Sequence, residues 1–418
     1  MSIRRALVCA PHLPEFDREG GSRRILHLIE LLLETGWAVT FICRNPNGDE
    51  RYARMLRQRG VAVYVGWELQ GVGDEYLITP ERLIAIGRFD LALLCFWETA
   101  EAFLQPLRSL SPTTRVVVDS IDLHFLRNAR TIFRRTADQE ADGLDSDYGD
   151  KMIREMNTSA ATDAVLTVSQ READLINDLV ADLALAHTVP DIEEPTLVPP
   201  PLSARRGCLF IGNFRHPPNI DAVRYLCREI LPLIDPALLA AHPVSIVGNA
   251  LDRIADEFAS DSPHVHLVGW VPAVAPYLAR ARLTVVPLRT GAGTKRKLIQ
   301  SLMAGTPTVS TSVGVEGLLL QAGEHLLLAD DPPAFAAAIT RLLTDASLWE
   351  CLAARGRERI VTLHSREVVR AQFTAVIDAT LARPHRQGRL PMLFGGRTEA
   401  ALELGVSDGS YCSGDTVG

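Results

Sequence analysis

Three cations stand in a row where a helix begins. In TVVPLRTGAGTKRKLIQSLMAGTP an apolar run ends in Gly291-Ala-Gly293-Thr294, and Lys295, Arg296 and Lys297 open the amphipathic segment that follows. Cations at the positive end of a helix dipole are unfavourable unless an anion sits against them. Glycines at a strand-to-helix turn let backbone N–H groups approach such an anion. A phosphate resolves the conflict; a solvated basic face is the plain alternative. Leu298, Ile299, Leu302 and Met303 then form an apolar stripe, and Lys297 and Gln300, three positions apart, share the polar side.

A second candidate is DSIDLHFLRNAR, which puts Asp119, Asp122 and His124 at or just past the strand RVVVD. A lone histidine is more often structural, but this one follows a buried strand directly and should point into whatever cleft lies at the strand ends. A third is PHLPEFDREGGSRR, which ends in Gly20 and Gly21 before an amphipathic helix. Its glycines are adjacent and far from the preceding strand, unlike the G-x-G-x-x-G of dinucleotide binding. Arg18, Arg23 and Arg24 beside it suit an anionic partner or a membrane face, or are a solvated helix start. The acidic DQEADGLDSDYGD (138–150) contains Asp145-Ser-Asp147, a look-alike of a metal-binding DxD, but it lacks the spacing of a calcium loop. It reads as a solvated acidic loop, and no metal is expected.

The elements that must position these residues are legible as alternation. Short runs rich in Val, Ile, Leu and Phe (5–10, 38–43, 61–66, 89–97, 115–119, 164–169) are separated by amphipathic segments. A proline-rich break, VPDIEEPTLVPPPLSARRG (189–207), cannot continue a helix or a central strand. The alternation then restarts at 208–213, 244–249, 265–270, 283–288, 307–312 and 325–329, and 332–381 reads as consecutive helices. The expected fold class is α/β, two doubly wound parallel-sheet domains facing a cleft. The expected bounds are 1–190 for the first domain, 191–206 for the linker, 207–345 for the second domain and 346–384 for terminal helices. The glycine-rich 385–418 reads as a disordered tail. Loops at the carboxyl ends of the strands should carry the chemistry.

Charge and composition exclude other classes. With 51 acids against 43 bases the 418-residue chain has a net charge of −8, so nothing in the total draws it to nucleic acid. The longest apolar run, ILHLIELLL (25–33), is broken by His27 and Glu30 and is too short for a membrane span. Seven widely spaced cysteines, several inside apolar runs, read as free thiols in a reducing compartment. The expected location is cytoplasmic, with peripheral contact at the inner face of the membrane open.

GAGTKRKLIQSLMAGTPTVSTSVGVEGL, FIGNFRHPPNIDAV (210–223), VHLVGWVPAVAPYL (265–278) and GEHLLLADDPPAFAAAI (323–339) together resemble glycosyltransferase family 4, retaining enzymes of the GT-B fold. GGSRRILHLIELLLETGWAVTFI (20–42) and DSIDLHFLR (119–127) look like the matching acceptor-side domain. The resemblance implies a nucleotide-diphospho-sugar donor held mainly by the second domain, an acceptor held mainly by the first, and a last helix that crosses back onto the first. It implies donor contacts at Gly293, Thr294 and Lys295, with Lys297 and Arg215 as phosphate-side cations. Gly212 and Asn213 fall in the same GNFR loop as Arg215, and Val271 falls where backbone groups meet the nucleobase. His124 corresponds to the family's histidine beside the transferred sugar, and Gly20 and Gly21 to its glycine-rich loop. The chain departs from the family's two glutamates separated by seven residues, since Ala292 and Gln300 occupy those positions. Gln300 still hydrogen-bonds a diol, whereas Ala292 supplies nothing. Glu316, in VGVEG, is then the nearest carboxylate to face the donor.

The function expected from this is a metal-independent retaining glycosyltransferase acting on a glycan, lipid-linked or other acceptor hydroxyl, with no cofactor beyond the donor substrate. Lys297 and Arg215 would stabilise the departing diphosphate, and His124 would orient the sugar or assist proton transfer. The alternatives are a non-catalytic nucleotide-sugar-binding protein and another GT-B enzyme such as a sugar-nucleotide epimerase, because fold does not fix function.

Overall fold

The structure is a computed structural model that describes residues 3–45, 49–66, 79–126, 146–253, 257, 263–291 and 293–384. The tail 385–418, Ala292 and Asp145 lie outside these residues, as does most of the acidic segment 138–150. The end of that segment is not a loop: the chain is already helical from Ser146.

Among the described residues seven strands form the first sheet: β1 (Arg5–Ala10), β2 (Ala38–Cys43), β3 (Ala62–Val65), β4 (Leu91–Cys95), β5 (Arg115–Asp119), β6 (Ala164–Thr167) and β7 (Ala186–Thr188). Their order is β3-β2-β1-β4-β5-β6-β7 and every pairing is parallel. Between them run α1 (Gly20–Glu34), α2 (Glu50–Gln58), α3 (Pro80–Gly87), α4 (Trp97–Leu110), α5 (Ser146–Ala160) and α6 (Gln170–Val180). The inner strands read as unbroken apolar runs because helices cover both faces of the sheet. Leu91 to Cys95 are accordingly all buried. Strand β7 is absent from the sequence expectation: AHT is only three residues long and carries no apolar run.

Six strands of the described residues form the second sheet: β8 (Cys208–Ile211), β9 (Val244–Val247), β10 (Val265–Gly269), β11 (Leu283–Val286), β12 (Thr308–Ser310) and β13 (Leu327–Leu328). The order β10-β9-β8-β11-β12-β13 is again parallel throughout. Its helices are α7 (Pro217–Tyr225), α8 (Pro236–Ala241), α9 (Ala275–Arg280), α10 (Arg296–Met303) and α11 (Ser312–Val315). In both sheets the strand order reverses beside the first strand, between β1 and β4 and between β8 and β11. A crevice for a ligand opens at such a reversal.

Helices α12 (Pro332–Thr344), α13 (Ala346–His364) and α14 (Arg366–Ala382) end the described chain. Leu342, Trp349, Leu352 and Ile360 join the core of the second sheet, while Val369, Phe373 and Ile377 of α14 join that of the first. Arg366 at the start of α14 pairs with Glu30 and Glu34 of α1, and Asp378 pairs with Arg4. The proline-rich segment between the sheets is bonded along its length. Asp191 O accepts from His364 Nδ1 at 2.8 Å, Glu193 N donates to His364 O at 3.1 Å, and Thr196 O accepts from Arg357 Nη2 at 2.8 Å. Arg205 is buried and donates to Pro200 O, Leu278 O, Thr306 Oγ1 and Ala304 O.

Candidate active site

The carboxyl ends of both sheets face one cleft of about 1280 Å³. The second domain supplies its charged wall. Gly248, at the end of β9, has φ +150°, and a Cβ there would lie 1.6 Å from Gly212 O at the end of β8. Only glycine lets these two strand ends meet. Beyond them sit Asn213 and Asn249, whose Nδ2 atoms are buried and have no hydrogen-bond partner among the described residues. Asn213 Oδ1 accepts from Arg215 N at 3.1 Å, Asn219 Nδ2 donates to Asn213 O at 2.8 Å, and Lys297 Nζ donates to Asn219 Oδ1 at 2.6 Å. The Lys297 ammonium also lies 4.3 Å from the centre of the Phe210 ring. Its partners are neutral, so burial, helped by the charge of Lys295, pushes its pKa down to about 7.

The three adjacent cations are thus used differently. Lys295 folds back to donate to Gly293 O at 2.5 Å. Arg296 is taken by a carboxylate of the proline-rich segment, its Nε donating to Glu193 Oε2 at 2.9 Å. Gln300 Nε2 donates to the other oxygen, Glu193 Oε1, at 3.1 Å. An internal carboxylate therefore neutralises one of the three cations, and Lys297, hydrogen-bonded to the neutral Asn219 amide, calls for an outside anion.

The first domain supplies a wall held from behind. Arg24 does not reach an acceptor or a membrane: it is 3% exposed, and its Nε donates to Asp119 Oδ1 at 2.9 Å and its Nη1 to Val189 O at 2.8 Å. Burial opposes its charge, but Asp119 and Asp191 outweigh that and hold the guanidinium above its ordinary range. Asp119 is consequently committed to the core. Arg18 pairs with Glu15, and Arg23 lines the cleft half-buried, held down by burial and by nearby Arg296. After β5, Ile121 adopts φ +62°, costly for a β-branched residue, and Asp122 follows at the cleft wall. A Cβ on Gly293, which has φ +66°, would lie 3.2 Å from Asp122 Cβ, so the two domains touch at this point.

Two buried glutamates hold that loop. Glu155 accepts from His124 N at 3.0 Å and from Phe125 N at 2.8 Å. Glu172, 3% exposed, lies beside Ser169. Burial raises both carboxyls to about 7, opposed at Glu155 by the backbone N–H of Phe125 and reinforced at Glu172 by Asp122. The His124 ring meets Trp97 Nε1 and Glu98 Oε1, each 3.1 Å from Nδ1, and its Nε2 is 3.5 Å from Asp122 Oδ1.

Of the residues singled out in the sequence, Gly20, Gly21, Gly212, Asn213, Val271, Gly293, Thr294, Lys295, Lys297 and Gln300 all line the cleft. His124, Arg215 and Glu316 do not. His124 stands behind Asp122, Arg215 is exposed beyond the GNFR turn, and Glu316 is ion-paired to Arg171 of α6 across the domain boundary. Sequence reasoning missed Asp191, Glu193, Asn219, Asn249 and Trp270. The two acids stand in the proline-rich segment, where IEEP reads only as polar linker. Asn249 repeats at VGN the Gly-Asn pair of IGN, a signal that was present in the sequence. Among the described residues no three His, Cys, Asp or Glu side chains are grouped to hold a metal ion, and no helix is long and apolar enough to cross a membrane.

Residues 205–345 match the family model described as Glycosyl transferases group 1. A stretch of 110 residues is 33% identical to the lipopolysaccharide core biosynthesis glycosyltransferase LpsE of Rhizobium meliloti strain 1021, covering 26% of this chain and 32% of LpsE. The chain thus spans about a third of the length of that relative. Among solved structures, sucrose-phosphate synthase from Thermosynechococcus elongatus superposes with a TM-score of 0.67 at 19% identity, over 91% of this chain and 100% of that one. Anabaena HepE in complex with UDP superposes with a TM-score of 0.66 at 10% identity, over 90% and 100%. The two parallel sheets, the cleft between them and these likenesses give this chain the GT-B fold, with residues 205–345 similar to the Glycosyl transferases group 1 family.

Proposed function

We propose that this chain is a metal-independent retaining glycosyltransferase that moves a sugar from a nucleoside-diphospho-sugar to a hydroxyl of a glycan or lipid-linked acceptor. The observation that carries the reading is Lys297: a half-buried cation with a neutral hydrogen-bond partner, facing a cleft at a strand-to-helix turn. Such a charge is unstable by itself and is stabilised by a phosphate. The match to a group 1 domain and to LpsE supports the reaction class and a surface-polysaccharide destination, and the likeness to HepE with UDP supports a uridine nucleotide among the donors to test first.

In this reading the bond between the sugar's anomeric carbon and the phosphate oxygen breaks, and the oxygen keeps the electron pair. Lys297 and Lys295 then face growing negative charge in a partly desolvated site, where fixed cations act more strongly than in water. The acceptor hydroxyl attacks the same face of the anomeric carbon and gives its proton to the departing phosphate oxygen. Asp122 and, behind it, His124 orient the sugar from the first domain, and Glu155 and Glu172 hold the loop that carries them. Arg215 and Glu316 do not line the cleft and carry no step in this reading. Calorimetry with UDP, ADP, GDP and their sugars, followed by an assay of nucleoside diphosphate release with and without acceptor, tests the proposal. Acceptor-dependent release supports transfer. Binding without release would mean a nucleotide-sugar-binding protein, and an epimerised donor would mean a different enzyme.

A further inference from the structure

Two adjacent strands of the first sheet end in backbone conformations that L residues rarely adopt. Phe96, just past β4, has φ +71°, and Ile121, just past β5, has φ +62°. Both press on the start of α1: a Cβ on Gly21 would lie 3.6 Å from Phe96 Cζ and 3.5 Å from Ile121 Cγ2. Phe96 N donates to Asp119 O at 2.9 Å, which ties this turn to β5 and delivers Trp97 to the first position of α4. Trp97 is 6% exposed, with the Arg154 guanidinium 5.5 Å from its ring centre, and its Nε1 donates to His124 Nδ1 at 3.1 Å. An indole N–H only donates, so Nδ1 must accept, and the hydrogen of the His124 ring then sits on Nε2. Glu98 Oε1, also 3.1 Å from Nδ1, would need the opposite arrangement. The two demands are unequal. Glu98 is 49% exposed and its carboxylate can turn to water, whereas a buried indole N–H left unpaired is costly. On the other side of the ring, Nε2 faces Asp122 Oδ1 at 3.5 Å, and it is Asp122, not His124, that lines the cleft.

We propose that Trp97 is a positioning residue that confines the His124 ring hydrogen to Nε2, so that His124 serves the cleft as a fixed N–H donor to Asp122 and not as a base for the acceptor hydroxyl. The proposal rests on the transfer reading above and narrows the part its histidine plays. A base needs a bare ring nitrogen turned to the proton it takes. Here the bare nitrogen, Nδ1, is turned to Trp97, which does not line the cleft, and the nitrogen on the cleft side carries the hydrogen. Acids stand around the ring on three elements, Glu98 of α4, Asp122 of its own loop and Glu155 of α5, so charge alone would draw a hydrogen to either nitrogen. The indole N–H decides between them. Asp122 is thereby held in one orientation, with its second oxygen left for a hydroxyl of the sugar.

Histidine-ring nitrogen NMR on the full-length protein reads the hydrogen directly, with His124 assigned by the signal lost in His124→Gln. The wild type should carry it on Nε2. A hydrogen on Nδ1, or on both nitrogens near neutral pH, overturns the proposal. In Trp97→Phe, which keeps an aromatic ring in place, the hydrogen should spread to Nδ1, and kcat should fall about ten-fold with the donor KM unchanged within about two-fold. An unchanged spectrum, or a change in KM alone, overturns it. A further arm leaves Trp97 intact and so stands even where Trp97→Phe does not fold. The amide nitrogen of a glutamine reaches where the His Nε2–H does but is no base. His124→Gln should therefore recover most of the roughly 10–100-fold in kcat that His124→Ala loses. A general base would lose about 10²–10⁴ in both variants, and Gln no better than Ala overturns the proposal. If the wild type transfers no sugar to any acceptor, the function proposed above falls, while the ring spectrum still decides where the hydrogen sits.

Discussion

The two walls of the cleft are built on opposite plans. The second-domain wall is local: Gly293, Lys295, Lys297 and Gln300 lie within eight consecutive positions on one turn and one helix. The first-domain wall is assembled from afar: Asp122 follows β5, Glu155 lies on α5, Glu172 on α6, and Arg24 crosses from α1 to Asp119. A wall that stabilises a diphosphate needs only charge and backbone N–H groups, which one helix start provides. A wall that orients a sugar and acceptor needs several side chains in fixed directions, and these come from many strands. Lys297 on the first plan has a neutral hydrogen-bond partner and demands a ligand; Arg24 and Asp119 on the second satisfy each other and do not.

The largest effect should come from removing the demanding charge. Lys297→Met is expected to lower kcat/KM by about 10²–10³, the usual scale for a group that stabilises transition-state charge; steady-state turnover with the donor found by calorimetry measures it. A loss below five-fold would break the contrast between the walls. Gly248→Ala is expected to lower unfolding stability by roughly 2 kcal/mol or more, because the new Cβ meets Gly212 O at a φ that L residues rarely adopt. Urea denaturation reads this, and a shift in midpoint of only a few tenths of a molar would show that the paired glycine loops are not needed.

Asp122→Asn should sharpen the difference from the other side, with kcat down about 10–100-fold and the nucleoside diphosphate Kd unchanged within two-fold. An equal loss in nucleotide affinity would place Asp122 on the donor side. The pH dependence of binding is the next expectation. Lys297 sits at about 7 without ligand. A bound diphosphate favours the charged lysine and raises that value, so binding takes up a proton above pH 7 and affinity falls as pH rises. From pH 7 to 9 the loss should reach about ten-fold, and Lys297→Arg, always charged, should flatten it. Calorimetry in buffers of different ionisation enthalpy reads the proton directly. The smallest effect belongs to Arg171→Ala: its partner Glu316 is shielded but Arg171 is 65% exposed, so stability should change by about 0.5 kcal/mol or less. A larger loss would mean that the pair latches the domains together.

How much of this was legible follows from how far each interaction reaches. Inner strands such as β1 and β4 announce themselves by apolar runs, since a strand buried on both faces needs no partner to be recognised. Strand β7 did not, because three residues with a threonine and a histidine carry no period. The glycine turn and basic helix start were visible for the same local reason. The role of Arg296 was not: its counterion, Glu193, is 103 positions away in a segment that reads as a plain linker. Arg24 likewise looks like a free helix-start cation until β5 brings Asp119 against it, 95 positions later.

Two parallel-sheet domains and a glycine turn opening a basic helix could be read along the chain, because side-chain period, glycine placement and helix-end charge are properties of neighbours in sequence. Folding settles which cation an internal carboxylate holds, which acids stand behind the loop at Asp122, and which oxygen the Gln300 amide meets. A charge or an amide is defined by what surrounds it in space, and here those surroundings come from segments about a hundred residues apart.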